Sequence, residues 1–450
     1  MKKNIFFFVF SFNLILLVPM GYLLIGCNTT DPPTPPETKA TLTLALEDTS
    51  CTEVWLQLKT KDLTLPAELT LKQYTQTGDS LSQNFVLNTQ DSILYIDSLL
   101  PNQNYFFQVS SEQHQVSSIR QQVTTMDTTS HNFTNWQTFT WGNVGSSTLF
   151  DVTIINENDI WAVGEIKIAD SSLIGYATYN AIHWNGTSWE LKKIMFYGVC
   201  GQTYMHPFPI SSIFAFNENE IWVSLSGDQI AKIENGIQTE TVCLPWDFGI
   251  KKIWGTSSSN VYIVGYYGNI AHYDGTNWNR IESGTTLNIN DIWGDYNQKI
   301  NEWEILAVAS NEYSSFDREL IKINKNNSML LSKSGIEEPL HSIWFKPNKK
   351  YYAVGSGTYE KTHLNEPEWK GDPLDITEYF ENRVRANDIN DVIAVGAFGE
   401  ILHFNGYNWQ SYISQTYLQN GTLLSVDIKN NLIVATGWKS QQAVLIIGQR

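Results

Sequence analysis

Lys252-Ile-Trp-Gly-Thr-Ser-Ser-Ser-Asn-Val-Tyr-Ile-Val-Gly265, followed by Ile270-Ala-His-Tyr-Asp-Gly-Thr-Asn-Trp278, carries the pattern that decides the fold. An apolar stretch, a polar turn and a second apolar stretch ending on Gly make one hairpin. A third stretch then meets Asp-Gly, and Trp278 opens a fourth. Asp-Gly and Asn-Gly between apolar runs are strong hairpin signals, because both central residues of the tight turn need positive φ. The unit therefore reads as four short antiparallel strands, a to d.

The same unit recurs. DVTIINENDIWAVG starts at Asp151, SIFAFNENEIWVSL at Ser212, SIWFKPNKKYYAVG at Ser342, RVRANDINDVIAVG at Arg383 and SVDIKNNLIVATG at Ser425. A further copy, from Asp291, carries an insertion. The anchors Val152, Ile213, Ile253, Ile292, Ile343, Val384 and Val426 lie 61, 40, 39, 51, 41 and 42 residues apart. Second halves follow as AIHWNGTSW from Ala181 and ILHFNGYNW from Ile401, with worn versions from Ile230 and Lys361. A four-stranded unit of about 40 residues has the period of a propeller blade. These units resemble those of bacterial exported propellers with a "VG..G.I.HYDG..W" repeat, a group without an assigned function. The last copy ends after Ala443-Val-Leu-Ile-Ile447 without its strand d, while Asn135-Trp-Gln-Thr-Phe-Thr-Trp141 matches the strand-d run Asn408-Trp-Gln-Ser-Tyr-Ile413. Residues 135–141 are thus expected to complete the last blade and close a ring of seven over 135–450.

The first 27 residues give an address. Lys2 and Lys3 precede an apolar run from Ile5 to Ile25, and the run ends Leu24-Ile-Gly-Cys27. That layout describes a secretory signal over 1–26. Leu-Ile-Gly-Cys resembles the bacterial lipobox, which implies lipidation at Cys27 and anchoring in the cell envelope. Asn28, rather than Asp, after that Cys points to the outer membrane. Residues 27–39 hold four prolines and read as an extended tether. A net charge of −17 would be repelled by phosphate backbones, so no nucleic-acid partner is expected.

Between tether and repeats, residues 40–127 alternate apolar and polar in short runs such as Thr41–Leu46, Val54–Leu58 and Tyr105–Val109. Leu99-x-Pro101-x-x-x-Tyr105 resembles the corner before the sixth strand of fibronectin type III domains. The resemblance implies a β-sandwich, with Trp55 as its core Trp and the Tyr105 hydroxyl bonded back to backbone. Residues 128–134 read as a linker. The chain is therefore expected to be all-β: a fibronectin type III-like β-sandwich followed by a seven-bladed β-propeller.

Little chemistry can be read. Fifteen of the 16 Trp lie in the repeats, ten at recurrent positions, as packing between blades requires. His183, His272, His363 and His403 share one strand-c position in four blades; they do not converge, so hydrogen bonding rather than metal binding is expected. Only six Arg occur, at 120, 280, 318, 383, 385 and 450, too few and too scattered for the arginine triad of a sialidase-type enzyme. No nucleophile elbow, phosphate loop, zinc motif or Cys-x-x-Cys is present, and no cofactor or metal is expected. Cys200 and Cys243, one repeat apart, form the candidate disulfide, leaving Cys51 free.

Insertions carry the functional expectation. Successive strands alternate direction, so b–c and d–a loops share one face and a–b and c–d loops the other. Blade 1 has long b–c (165–180) and d–a (195–211) loops on the same face, and the d–a loops at 244–249 and 371–382 join them. They supply Tyr176, Tyr179, Tyr197, Tyr204, His206 and Trp246 as candidate ligand contacts, a lightly charged aromatic rim suited to a protein or glycan. The expectation is a lipid-anchored, monomeric binding or scaffold protein. The alternative is a propeller hydrolase or lyase acting on carbohydrate. The 296–304 insertion in blade 4 marks a competing surface on the opposite face.

Overall fold

The alternating pattern becomes strand throughout the computed structural model, which describes residues 39–171, 174–311, 317–372 and 376–450. The signal segment, Cys27 and nearly all of the tether lie outside the described residues. The chain divides into two units, one ending at Thr128 and the other running from Thr129 to Arg450.

The first unit is a sandwich of two antiparallel sheets. One orders Thr41–Thr49, Val54–Lys61 and Asp91–Ile96; the other orders Ser80–Leu87, Ala67–Thr75 and Asn104–Ser111, with Gln121–Thr124 also paired to Asn104–Ser111. Leu44, Leu56 and Leu94 of the first sheet meet Leu69, Phe107 and Val109 of the second in one core. The Tyr105 hydroxyl accepts the Leu100 N–H at 2.9 Å, fixing the corner. Trp55 is a correction. It is buried, but it alternates with the core residues Val54 and Leu56, so it stands on the other face of its sheet, beside Tyr95 at 5.6 Å.

The second unit is a ring of seven four-stranded sheets. Blades 1 to 6 begin with strands a at Thr148–Asn156, Ile210–Asn217, Ile250–Ser257, Ile289–Asn297, Leu340–Lys346 and Glu381–Asp388. Blade 7 has strands a, b and c at Gly421–Lys429, Leu432–Lys439 and Gln442–Gln449, and takes Gln137–Trp141 as strand d. The pairing runs from Ala443↔Trp141 to Ile447↔Gln137, so the two ends of the propeller share one sheet. Each strand a touches the next, and blade 7 touches blade 1. Residues 129–134 are not a free linker. Thr129 N–H bonds to Asn405 O, and Phe133 is buried among Ile401, Tyr412 and Val444 of blades 6 and 7.

The repeated Gly at the end of strand b has a steric reason. A Cβ on Gly265, Gly355 or Gly437 would fall 2.0 Å from the carbonyl oxygen entering strand a of the same blade. Immediately after that contact every strand a skips one residue of register: between Leu149/Asp151 in blade 1, Ile250/Lys252 in blade 3, Glu381/Arg383 in blade 6 and at the equivalent step elsewhere. The seven bulges re-aim the residues that follow them toward the axis.

Candidate functional site

The re-aimed residues are Asp151, Ser212, Lys252, Asp291, Ser342, Arg383 and Ser425, one per blade and all buried. They form two matching relays. Asp151 accepts Ser212 Oγ at 3.1 Å, the Ile213 N–H at 2.9 Å and Lys252 Nζ at 2.5 Å. Asp291 likewise accepts Ser342 Oγ, the Ile343 N–H at 3.1 Å and, from two residues on in blade 6, Arg385 through both carboxylate oxygens at 2.8 and 2.9 Å. Each Ser Oγ accepts a backbone N–H of the following blade, Ile253 or Val384, at 3.1 Å. Ser425 Oγ closes the circle on Asp151 at 2.7 Å. Arg383 Nη1 lies 2.5 Å from Asp291 but off hydrogen-bond geometry, so it contributes charge rather than a directed bond.

Burial alone would raise both carboxyls; the cations outweigh it. Lys252 with Arg383 holds Asp151 below its ordinary value, and Arg383 with Arg385 holds Asp291 well below. Burial brings Lys252 down to about 8 against the pull of Asp151. A third acid, the half-buried Asp427, accepts the Ile154 and Ile428 N–H groups, and desolvation pushes it up. Three acids therefore face three bases in the ring and its adjoining row. Both arginines that the sequence places close together are committed to Asp291, and no carboxylate of this ring is left free for proton transfer.

Exposed aromatics of unusual backbone geometry sit on the face of the b–c and d–a connections. In blades 3 and 6 the b–c turn runs Tyr266-Tyr267-Gly268-Asn269 and Ala397-Phe398-Gly399-Glu400. Tyr267 and Phe398 have φ of 57° and 55°, and the Gly after each has φ of 72° and 85°. Two positive φ values in succession are the pattern of a type I′ turn, which takes Asn-Gly most readily. An aromatic there costs on the order of 1–2 kcal/mol in backbone strain. The backbone is pinned by the next d–a loop: Tyr267 N–H donates to Asn288 Oδ1 at 3.2 Å, and Phe398 accepts the Leu418 N–H at 2.7 Å. The rings point outward, Tyr267 with 80% of its surface exposed.

The same face exposes Tyr204, Phe380 and Tyr417. Phe380 packs edge-on to His341 at 6.2 Å, and Tyr379 lies 5.3 Å from Phe398. The opposite face exposes Tyr296, Trp303 and Tyr407.

The six candidate contacts read from sequence divide. Tyr204 and His206 are exposed and lie side by side at 5.8 Å, with Tyr197 on the facing strand of a short hairpin, Phe196–Tyr197 with Met205–His206. The hairpin is not a loose loop. Gln229 of blade 2 accepts the Tyr197 N–H and donates to its carbonyl, both at 2.9 Å, and Cys200 is bonded to Cys243 with Cα atoms 6.1 Å apart. The expected b–c loop at 165–180 is mostly ribbon: strands b and c continue to Ala169 and from Tyr176. Tyr176 and Tyr179 are half-buried on it, under Lys167 and Lys193. Trp246 packs against Arg280 and the core between blades 2 and 3. Tyr267 and Phe398 escaped the sequence reading; the aromatic-Gly pair in Asn-Gly's place between strands b and c is the signal that finds them.

Three of the four histidines have one role. His183, His272 and His403 stand opposite strand b and bond through Nε2 to Asp159, Asn260 and Asp391 at 2.9, 2.6 and 3.0 Å. His363 does not belong to the set. Strand c of blade 5 ends at Lys361, and Glu360 holds the equivalent place. Cys51 is buried, with its Sγ 3.1 Å from the Asp127 carbonyl.

No family model matches the chain, and no curated protein matches it. Solved structures do. YCF48 bound to D1 peptide is 14% identical, covers 72% of this chain and 100% of its own, and superposes with a TM-score of 0.51. BamB from Moraxella catarrhalis is 9% identical over 69% of this chain and 100% of its own, with a TM-score of 0.38. At 14% identity the first likeness shows a propeller fold and no shared activity.

Proposed function

We propose that this chain is an exported, lipid-anchored binding protein whose partner, a protein, docks on the b–c/d–a face of the propeller. The observation that carries the reading is the pair of strained, outward-facing turn aromatics, Tyr267 and Phe398, with Tyr204, Phe380 and Tyr417 on the same face. Rigid aromatics on a scaffold give contact area at little entropic loss. A likeness in fold lends support, since YCF48 is a propeller bound to a peptide. The alternative of a carbohydrate hydrolase or lyase needs an available acid or base at the axis. Asp151 and Asp291 are both neutralised there, which favours binding.

A photo-reactive residue placed at position 204, 267 or 398 of the anchored protein should cross-link one partner in the envelope, while position 407 should not. Adducts from 407 alone refute the face, and a glycan adduct refutes the class of partner. Anchoring is tested separately. Cys27→Ser should move the protein from the detergent to the aqueous phase, and unchanged partitioning refutes lipidation.

A further inference from the structure

On the opposite face, a cleft of about 660 Å³ opens between blades 3 and 4. That size lies within the ordinary range of small-ligand sites, about 300–1,000 Å³. It exists because strands a and b of blade 4 run two residue pairs further than those of blade 3. Asp295↔Glu304 matches the end of the blade 3 hairpin, and Tyr296↔Trp303 and Asn297↔Glu302 lie beyond it. Ring closure needs no such extension.

The extension raises Trp303 as a wall. Trp303 is 44% exposed, and its ring is held edge-on by Trp254 at 5.8 Å and Tyr296 at 5.6 Å. The Tyr296 hydroxyl donates to Asn301 Oδ1 at 2.6 Å, fixing the second support. Tyr262 and His272, stacked at 4.3 Å, line the cleft together with Ile305 and Ile323. Asn324 and Asn327 come from the c–d turn of blade 4 and bond to each other at 2.9 Å. Glu302, Lys325 and Asp274 also border it; Asp274 is held in its own c–d turn, accepting the Thr276 and Asn277 N–H groups at 2.9 and 2.8 Å, while Glu302 and Lys325 have no ion-pair partner among the described residues.

We propose that this cleft binds a neutral saccharide, with one sugar ring stacked on Trp303. A pyranose presents an apolar face of axial C–H groups, which fits a fixed indole plane. Its hydroxyls both donate and accept, as the side-chain amides around the cleft do. Two carboxylates and one ammonium at the border disfavour an anion, and Asp274 is occupied by its own turn, which leaves Glu302 and Lys325 to balance each other around an uncharged ligand. This site is independent of the partner face proposed above.

The test is calorimetry on the full-length protein with cellobiose, maltose, lactose and N,N′-diacetylchitobiose. At least one should bind saturably. Trp303→Ala should weaken that binding at least tenfold, while Trp303→Tyr should keep it within about threefold. Melting curves of both variants show whether the blade remains folded. Tyr267→Ala should leave saccharide binding unchanged. The proposal is overturned if none of the four sugars saturates, if folded Trp303→Ala binds as the parent does, or if Tyr267→Ala is the variant that loses binding.

Discussion

Arg385 of blade 6 grips Asp291 of blade 4 through both carboxylate oxygens, reaching past the blade between them. Both side chains are buried, and Ser342 of blade 5 is bonded to the same carboxylate. Propeller blades touch mainly their neighbours. This contact joins next-nearest ones, as Lys252 to Asp151 does between blades 3 and 1. The axis is therefore tied by charge as well as by packing.

Asp291→Asn keeps the shape and removes the charge, leaving Arg383 and Arg385 without the carboxylate they contact. Breaking a buried pair from one side costs about 3–5 kcal/mol. Denaturant unfolding should show a loss in that range, with Ser342→Ala losing nearer about 1 kcal/mol. A loss below about 1 kcal/mol for Asp291→Asn would show that the ring tolerates uncompensated cations, contrary to the usual cost of burying a charge.

Packing between blades makes a separate prediction. Trp254 of blade 3 lies flat on Gly294 of blade 4, where a Cβ would fall 2.4 Å from the indole, and Phe216 meets Gly255 of blade 3 in the same way at 2.9 Å. Gly294→Ala must push a buried Trp whose ring also supports Trp303. Overpacking of this kind costs about 1–3 kcal/mol. A melting temperature within a degree of the parent would mean that the blades separate freely there.

Much of this could be read in advance, and the residues say why. The Asp-Gly and Asn-Gly turns, the strand-closing Gly and the orphan strand at 135–141 are local signals, and the ring of seven follows from them. The axial ring was in view but not in focus. The residue just before each anchor, taken in order, reads Asp, Ser, Lys, Asp, Ser, Arg, Ser. Its meaning depends on a bulge that turns that column inward, and bulges leave no periodic mark. Trp55 and His363 went astray for local reasons. Trp55 alternates with Val54 and Leu56 on a strand that is buried on both faces, so an apolar residue type does not say which face meets the core, and strand c of blade 5 ends at Lys361, before His363. The b–c/d–a side was legible as one face, because loop direction follows from strand order. Its most exposed aromatics lie in short turns, which a search for long insertions passes over.

Acid should loosen the blade 6–7 seam. His403 Nε2 donates to Asp391, so its Nδ1 must accept from His131 Nδ1 at 2.8 Å, which requires a neutral His403. Burial holds the His403 pKa below its ordinary value, against the pull of Asp391. Between that lowered value and the unfolded one, about 6.5, the unfolded chain binds more protons. Stability is therefore complete above about pH 6.5 and lost as pH falls below it. Melting temperatures from pH 8 to 5 should decline, and His403→Gln should flatten the decline. Equal slopes in both proteins would assign it to another group.

Glu381 should act with the opposite sign. Its place before the bulge is taken in the other six blades by Leu149, Ile210, Ile250, Ile289, Leu340 and Leu423, all fully buried. Glu381 is equally buried, and neither carboxyl oxygen has a hydrogen-bond partner among the described residues. Nearby Glu400 is already satisfied by Ser411 at 2.6 Å and Thr377 at 2.9 Å. Burial, reinforced by the Glu400 charge, raises the Glu381 pKa well above the usual carboxyl value. Above about pH 4.3 the unfolded chain releases this proton while the folded chain keeps it, so stability from this group is present in acid and falls as pH rises toward the folded pKa. Glu381→Leu restores the apolar residue of the sister blades. It should gain about 1–3 kcal/mol at neutral pH, the cost of a buried polar group without a partner, and the gain should shrink toward pH 4. Denaturant melts of the two proteins at pH 4 and 7 decide the point. A Leu variant less stable at pH 7 would mean that Glu381 is held by a bond that outweighs its burial.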